Sequence, residues 1–218
     1  NWAGSQLVLR EKVPVAFTEE GRRFEGIARE TLGKLNKAGS RSGEGAGSGL
    51  PPVVFTMPHV IATSKFAGWW KEWSEGAAVS ATTQIGNVTE VVSGFLAGHA
   101  DILICHRSDQ LPVMLDPKHF KSTVIEHDRL LLYTAAKSRF RSRIGDHGVA
   151  ADVPLAMYKR GAYFARLVQS IMDHAPVRIE GARVIESEMA HIIHDCIAAD
   201  MGIGWLPSCS VGRSHGPG

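Results

Sequence analysis

Apolar residues along the chain switch between two periods. Residues 53–57 form a short β-prone run, and 62–75 place Phe66, Trp69, Trp70 and Trp73 on one helical face. "AVSATTQI" (78–85) alternates small apolar and polar residues as a strand does. Val88, Val91, Val92, Phe95 and Leu96 recur at helical spacing, and 101–105 returns to a short apolar run. This order of strand, helix, strand, helix, strand predicts parallel βαβ units with helices packed on a sheet. After an extended stretch over 120–135, "VPLAMY" (153–158), a helix at 162–175, a strand at 182–185, a helix at 187–199 and "GIGWLP" (202–207) repeat it. Two segments, "GFLAGHADILICH" (94–106) and "DCIAADMGIGWLP" (195–207), make equivalent steps, each glycine predicted to end a helix so that a buried strand can begin. The fold class is α/β, two similar open lobes joined by crossing strands, with a cleft at the carboxyl ends of the strands.

The N-terminal part follows another plan. "GSQLVLREKVPVAF" (4–17) sets two short apolar runs around Arg10-Glu11-Lys12 and predicts a hairpin. Thr18 is a good helix N-cap, with Glu19 and Glu20 in the first turn, where the helix dipole favours acids. Phe24, Ile27, Ala28, Thr31, Leu32 and Leu35 then form an apolar stripe that needs a cover, either another domain or its twin in a dimer. "GSRSGEGAGSG" (39–49), with five glycines and three serines, cannot bury a core and reads as a flexible linker. The expected domains are 1–38, a linker at 39–52, and 53–218, the last divided into lobe I (53–125) and lobe II (126–208).

Composition narrows the function classes. The 218 residues are 44% hydrophobic and 21% charged, which is ordinary globular composition. Residues 1–50 hold eight Lys or Arg against six acids, so the remaining 168 hold sixteen of each (24 − 8 and 22 − 6). A neutral body offers no broad nucleic-acid surface. No apolar run is long enough to cross a bilayer, and the charged first twenty residues are no secretory signal, so a cytoplasmic protein without membrane association is expected. Cys105, Cys196 and Cys209 form no CxxC pair and read as reduced cysteines. His191 and His194, followed by Asp195 and Cys196, match no metal-ligand spacing and read as a polar helix face, so neither a metal nor a cofactor is expected. "GEGAGSG" (43–49) neither follows a strand nor opens a helix, which fails the test for a dinucleotide loop. No nucleophile–base pair or acid pair stands out, and an enzyme is not expected.

Gly4, Leu7, Val8, Arg10, Thr18 and Gly21 resemble the wing and following helix of the winged helix-turn-helix of LysR-type transcriptional regulators. Residues 18–38 then correspond to that family's dimerising linker helix. "VPLAMYKRGAYFARLV" (153–168) is similar to a segment of its hypochlorite-responsive branch, and "MGIGWLP" (201–207) resembles a motif of its effector domain. The resemblance implies two Rossmann-like lobes of periplasmic-binding-protein type, incomplete here, preceded by a wing hairpin and a long linker helix. It also implies a DNA-recognition helix upstream of Asn1 and a returning strand and helix after "SCSVGRSHGPG", so that the chain reads as a fragment truncated at both ends.

On this resemblance the protein is an effector-sensing part of a transcription regulator, a homodimer or homotetramer that binds DNA through the helix-turn-helix. A small anionic effector would lie between the lobes, lined by His59, Thr63, Ser64, His106, Arg107, Tyr158, Tyr163 and Ser187. Arg10 and Lys12 on the wing would touch DNA. Phe24, Ile27, Ala28, Thr31 and Leu35 would form the dimer seam. The alternative is a periplasmic-type solute-binding protein of a transport system, which predicts a signal peptide or lipid anchor and no wing. Replacing Ile27 and Leu35 together by Asp puts charge into the seam, and sedimentation is expected to show a dimeric parent and a monomeric double variant.

Overall fold

A computed structural model of the chain describes residues 4–9, 16–28, 31, 52–145 and 147–211. They fall into two compact units. One takes the described residues up to 56 with 76–84 and 90–103; the other takes 57–75, 85–89 and 104–211.

The first unit opens with the expected hairpin, β1 (Val8–Leu9) antiparallel to β2 (Ala16–Phe17), with Val8 opposite Phe17. Helix α1 (19–28) starts where the capping residue predicts. The Gly21 N–H donates to Thr18 Oγ1 at 2.9 Å, and the same hydroxyl donates to the Gln6 carbonyl at 2.7 Å. A Cβ at Gly21 would lie 1.9 Å from the Leu7 carbonyl oxygen, so hairpin and helix can touch only through glycine. On α1 Ile27 is 64% exposed and Phe24 36%. Ala28 is half-buried, and the Thr31 hydroxyl donates to the Ile27 carbonyl at 2.8 Å. Arg10, Lys12, Leu32, Leu35 and the glycine-rich linker up to residue 51 lie outside the described residues.

A three-stranded sheet follows, ordered β4 (Ala81–Gly86), β3 (Val53–Pro58), β5 (Ile102–Leu103), with β3 parallel to β5. β5 is shorter than the 101–105 run predicted; at its start the Asp101 carboxylate takes the Val54 N–H at 3.1 Å while the Asp101 N–H donates to the Val54 carbonyl at 2.8 Å. Helix α4 (Val88–Leu96) ends at Gly98, whose φ of +77° and the bond from His99 N–H to Gly94 O, 3.0 Å, make the predicted glycine stop.

In the second unit the tryptophan helix starts earlier than its pattern indicates and changes pitch: α2 (His59–Ile61), a π-helical segment (Ala62–Phe66) and α3 (Ala67–Trp73) run on without a break. Phe66 stacks on Trp70 and Trp69 on Trp73, with ring centroids 6.2 and 5.8 Å apart. The main sheet is ordered β11 (Ala182–Ser187), β9 (Pro154–Tyr158), β12 (Ile203–Pro207), β6 (Leu130–Tyr133). β9 is parallel to both its neighbours, while β6 returns antiparallel to β12. Of the extended stretch 120–135, only β6 is a strand. Helices α5 (Tyr163–His174) and α6 (Ala190–Ala198) make the connections. A small sheet of β10 (Arg178–Ile179), β8 (Gly148–Val149) and β7 (Ile144–Gly145) has no counterpart in the hydrophobic pattern, since two-residue strands carry no period.

The step into β12 differs from the glycine stop that the sequence predicts. α6 ends on Asp200, held left-handed at φ +53° and fixed by the Arg139 N–H to Asp200 Oδ2 at 3.3 Å. The glycines beyond it serve close packing instead. A Cβ at Gly204 would lie 2.4 Å from the Ala156 carbonyl oxygen and 3.1 Å from Ile193 Cγ2. β12 is buried throughout, among Leu155, Ile193 and its own Leu206. No described helix is long and apolar enough to cross a membrane. Gly204→Ala must push β9 or α6 away, and a loss of about 1–3 kcal/mol is expected in denaturant unfolding, the usual cost of overpacking a core.

Candidate functional site

The antiparallel register of β12 on β6 pairs Pro207 with Leu130, so the residues just beyond the ladder on each side also meet. On one side is Asp128, on the other the 3₁₀ turn Ser208–Ser210. Asp128 Oδ1 accepts from the Ser208 hydroxyl at 2.5 Å, the Cys209 N–H at 3.1 Å and the Arg129 N–H at 2.8 Å. Its Oδ2 faces His106 Nε2 at 3.2 Å. One carboxylate thus ties the loop after β5 to the start of β6 and the end of β12.

Other side chains of the same unit complete the surroundings. Ser64, in the π-helical segment, has its Oγ 3.5 Å from Cys209 Sγ and also bonded to the Val60 carbonyl. Its neighbour Lys65 pairs with Glu126 at 2.5 Å. The His106 ring meets Phe164 edge-on at 5.2 Å, and Phe164 lies 5.2 Å from the Tyr158 ring and 5.7 Å from that of Tyr163. Tyr163 donates to the Leu111 carbonyl at 3.3 Å. Tyr158 is 2% exposed and its hydroxyl has no partner among the described residues; His106 Nδ1 is likewise buried without one among them. His106, Asp128 and Cys209 offer a nitrogen, an oxygen and a sulfur within 4.8 Å of one another.

Protonation follows from these contacts. Burial works to raise the Asp128 carboxyl, but the bonds from His106, Ser208, Cys209 and the Arg129 N–H outweigh it and hold the group well below the usual carboxylate range. Burial, then the Asp128 carboxylate, push the Cys209 thiol up to about 12. Burial also pushes up the Tyr158 hydroxyl, with the Cys209 charge adding to it, and the Cys105 thiol, against the opposing pull of Arg107. The hydrogen bond to Glu126 raises Lys65. Because an ionised Asp128 can only accept, His106 Nε2 carries the hydrogen of that bond, and a neutral ring keeps its lone pair on the unpartnered Nδ1.

Of the residues singled out in the sequence, Ser64, His106 and Tyr158 come together around Cys209 and Phe164, and Tyr163 touches the same Phe164. Ser187 ends β11 directly opposite Tyr158 in the parallel register. Thr63 is exposed, with its hydroxyl on the His59 carbonyl at 2.9 Å; His59 starts α2, and Arg107 is exposed. The His191–His194 face joins no three-ligand group among the described residues, and His194 pairs with Asp195 at 3.1 Å. Asp128 and Cys209 escaped the sequence reading, as did three arginines around a cavity of about 520 Å³. That cavity is lined by Tyr158, Arg160, Gly161, Arg166, Gln169 and Arg183, among others. Arg183 lies 3.5 Å from Glu186, whereas Arg160 and Arg166 have no carboxylate partner among the described residues. The available signal was the cationic spacing 160, 166 on a turn and the helix after it.

Asp128→Asn is expected to lower the unfolding free energy at neutral pH by about 1.5–3 kcal/mol, the range for hydrogen bonds to a charged group. A depressed carboxyl contributes fully above the ordinary Asp value of about 4, and its contribution fades as pH falls toward the folded value. The gap between parent and variant should therefore narrow progressively below about pH 4 in urea titrations.

Residues 53–218 match the LysR substrate binding domain family. No individual curated protein matches the chain. Among solved structures the fold is similar to that of Vibrio fischeri DarR in complex with DNA, at 24% identity and a TM-score of 0.60, covering 96% of this chain and 69% of that one. It is also similar to full-length HypT of Salmonella typhimurium, a hypochlorite-specific LysR-type transcriptional regulator, at 18% identity and a TM-score of 0.57, covering 96% and 68%. A third likeness is the OxyR2 regulatory domain of Vibrio vulnificus in its E204G form, at 14% identity and a TM-score of 0.59, covering 79% and 78%. The family match over residues 53–218 places the chain in the LysR family of transcriptional regulators, with the family's substrate-binding domain as its main part.

Proposed function

We propose that this effector-binding domain senses a small anion carrying a carboxylate or phosphate, held by Arg160, Arg166 and Arg183 beside Tyr158. The observation that carries the reading is the 520 Å³ cavity with three arginines among its lining residues, two of them without a carboxylate partner among the described residues. A planar guanidinium matches either oxyanion with two parallel N–H donors. Gln169 also lines it, its amide nitrogen donating to Asp173 at 2.7 Å, and Gly161, at φ +96°, lets the chain turn from β9 into α5 at the cavity's rim. The sequence points to an anion through Arg107, Thr63 and Ser64; the Thr63 and Ser64 hydroxyls are engaged on carbonyl oxygens of their own helix, which favours the arginine wall. In the whole regulator, a dimer or tetramer in the cytoplasm, the ligand acts by favouring one arrangement of the DNA-binding helices over another. The hairpin and capped helix ahead of the domain favour this role over that of a transport solute-binding protein.

A panel of mono- and dicarboxylates, phosphate and neutral amide analogues tests the reading by thermal shift and calorimetry. At least one anion is expected to bind and its neutral analogue to fail. Arg166→Ala should weaken binding roughly ten- to hundredfold, the equivalent of a lost charged hydrogen bond. Arg107→Ala should leave it unchanged. If Arg107→Ala abolished binding and Arg166→Ala did not, the ligand would sit at the loop after β5 instead.

A further inference from the structure

We propose that His106, Asp128 and Cys209 form a site for one divalent transition-metal ion, of the class of Zn²⁺. This site is separate from the arginine wall and is the ligand chemistry that the polar knot behind Tyr158 fits. An imidazole nitrogen, a carboxylate oxygen and a thiolate are the three donor types that Zn²⁺ takes, and they stand here within 4.8 Å of one another. Zinc bonds of about 2.0–2.3 Å in a tetrahedron put ligand atoms roughly 3.5 Å apart, so closure needs shifts of about an ångström. The residues are half-buried, on a loop, a segment before a strand and a one-turn 3₁₀ helix.

Two further observations support the site. Tyr158, 2% exposed, keeps a hydroxyl without a hydrogen bond among the described residues. His106 Nε2 stands 3.2 Å from Asp128 Oδ2, close to the spacing of two ligands on one zinc ion, so that the metal would take the place of the hydrogen now between them. A donor set with an Asp carboxylate is also hostile to an anion, which separates this knot from the proposed effector wall.

The charges balance. On binding, the Cys209 S–H bond breaks, its proton passes to solvent and a sulfur–metal bond forms, as coordination deprotonates a thiol outright. A 2+ ion, a thiolate, a carboxylate and a neutral imidazole sum to zero, which suits a partly desolvated site. Of the cations nearby, Lys65 is paired with Glu126, and Arg107 and Arg129 are exposed to solvent. The Tyr158 hydroxyl is left to bond a fourth ligand.

Co²⁺ titrated into the chelator-stripped chain tests the site. A thiolate-to-cobalt charge-transfer absorption that saturates at one equivalent and is displaced by Zn²⁺ is expected. Cys209→Ser should remove the absorption and weaken Zn²⁺ binding, measured against a chromophoric chelator, by about tenfold or more, and His106→Gln should weaken it similarly. Cys105→Ser, Cys196→Ser and Arg166→Ala should change neither readout, the last because the anion wall is another site. Metal-free urea unfolding of each variant shows that it is folded. No saturating absorption in the parent chain, or an absorption that survives Cys209→Ser, would overturn the proposal.

Discussion

The close approach of β12 to β9 is the constraint on which the second unit depends. Gly204 allows the backbone to meet the Ala156 carbonyl, and the same position admits Ile193 of α6 from the adjoining side. With β12 fixed there and buried along its length, β6 can pair on its other edge in only one register, because a slip of one residue would exchange its half-buried Leu130 and Leu132 with the exposed Leu131. That register decides that Asp128 meets Ser208 and Cys209. A packing requirement between apolar strands thereby sets the position of a carboxylate, a thiol and an imidazole.

Much of the architecture was legible because it depends on local period. The hairpin before Thr18, the helices with apolar stripes and the buried "GIGWLP" strand each announce themselves within ten or so residues. Boundaries were less legible where a side chain replaces a backbone partner: Asp101 takes an amide of β3, and Asp200 rather than a glycine turns the chain out of α6. The candidate sites were largely hidden. Arg160, Arg166 and Arg183 share a wall because β11 lies parallel to β9 beneath α5, and Asp128 and Cys209 meet only through an antiparallel pairing across some eighty positions. No local pattern encodes such meetings. The residues that the family resemblance did indicate, Ser64, His106 and Tyr158, fall at strand ends and helix starts, where an open α/β sheet gathers its polar side chains.

Tyr158 stands between two kinds of electrostatic surroundings. Toward α5 and β11 the lining is cationic, while around Cys209 the charge is that of one carboxylate dressed by four donors. The Tyr158 ring lies 5.2 Å from that of Phe164, which also meets His106, so one aromatic contact joins the two surroundings.

The π-helical segment at Ala62–Phe66 has a consequence for how this part of the chain tolerates change. An α-helix advances about 100° per residue, so the wide turn carries one residue more than the regular spiral would need. Removing that residue would not break the helix; it would relax the turn to regular α pitch and leave α3, with its stacked tryptophans, in nearly the same phase relative to α2. Length variation at this point is therefore absorbed locally rather than passed on as a rotation. Within a lineage, a single-codon deletion here would rearrange the side chains of the wide turn itself, Ser64 and Lys65 among them, while leaving the aromatic face aimed as before.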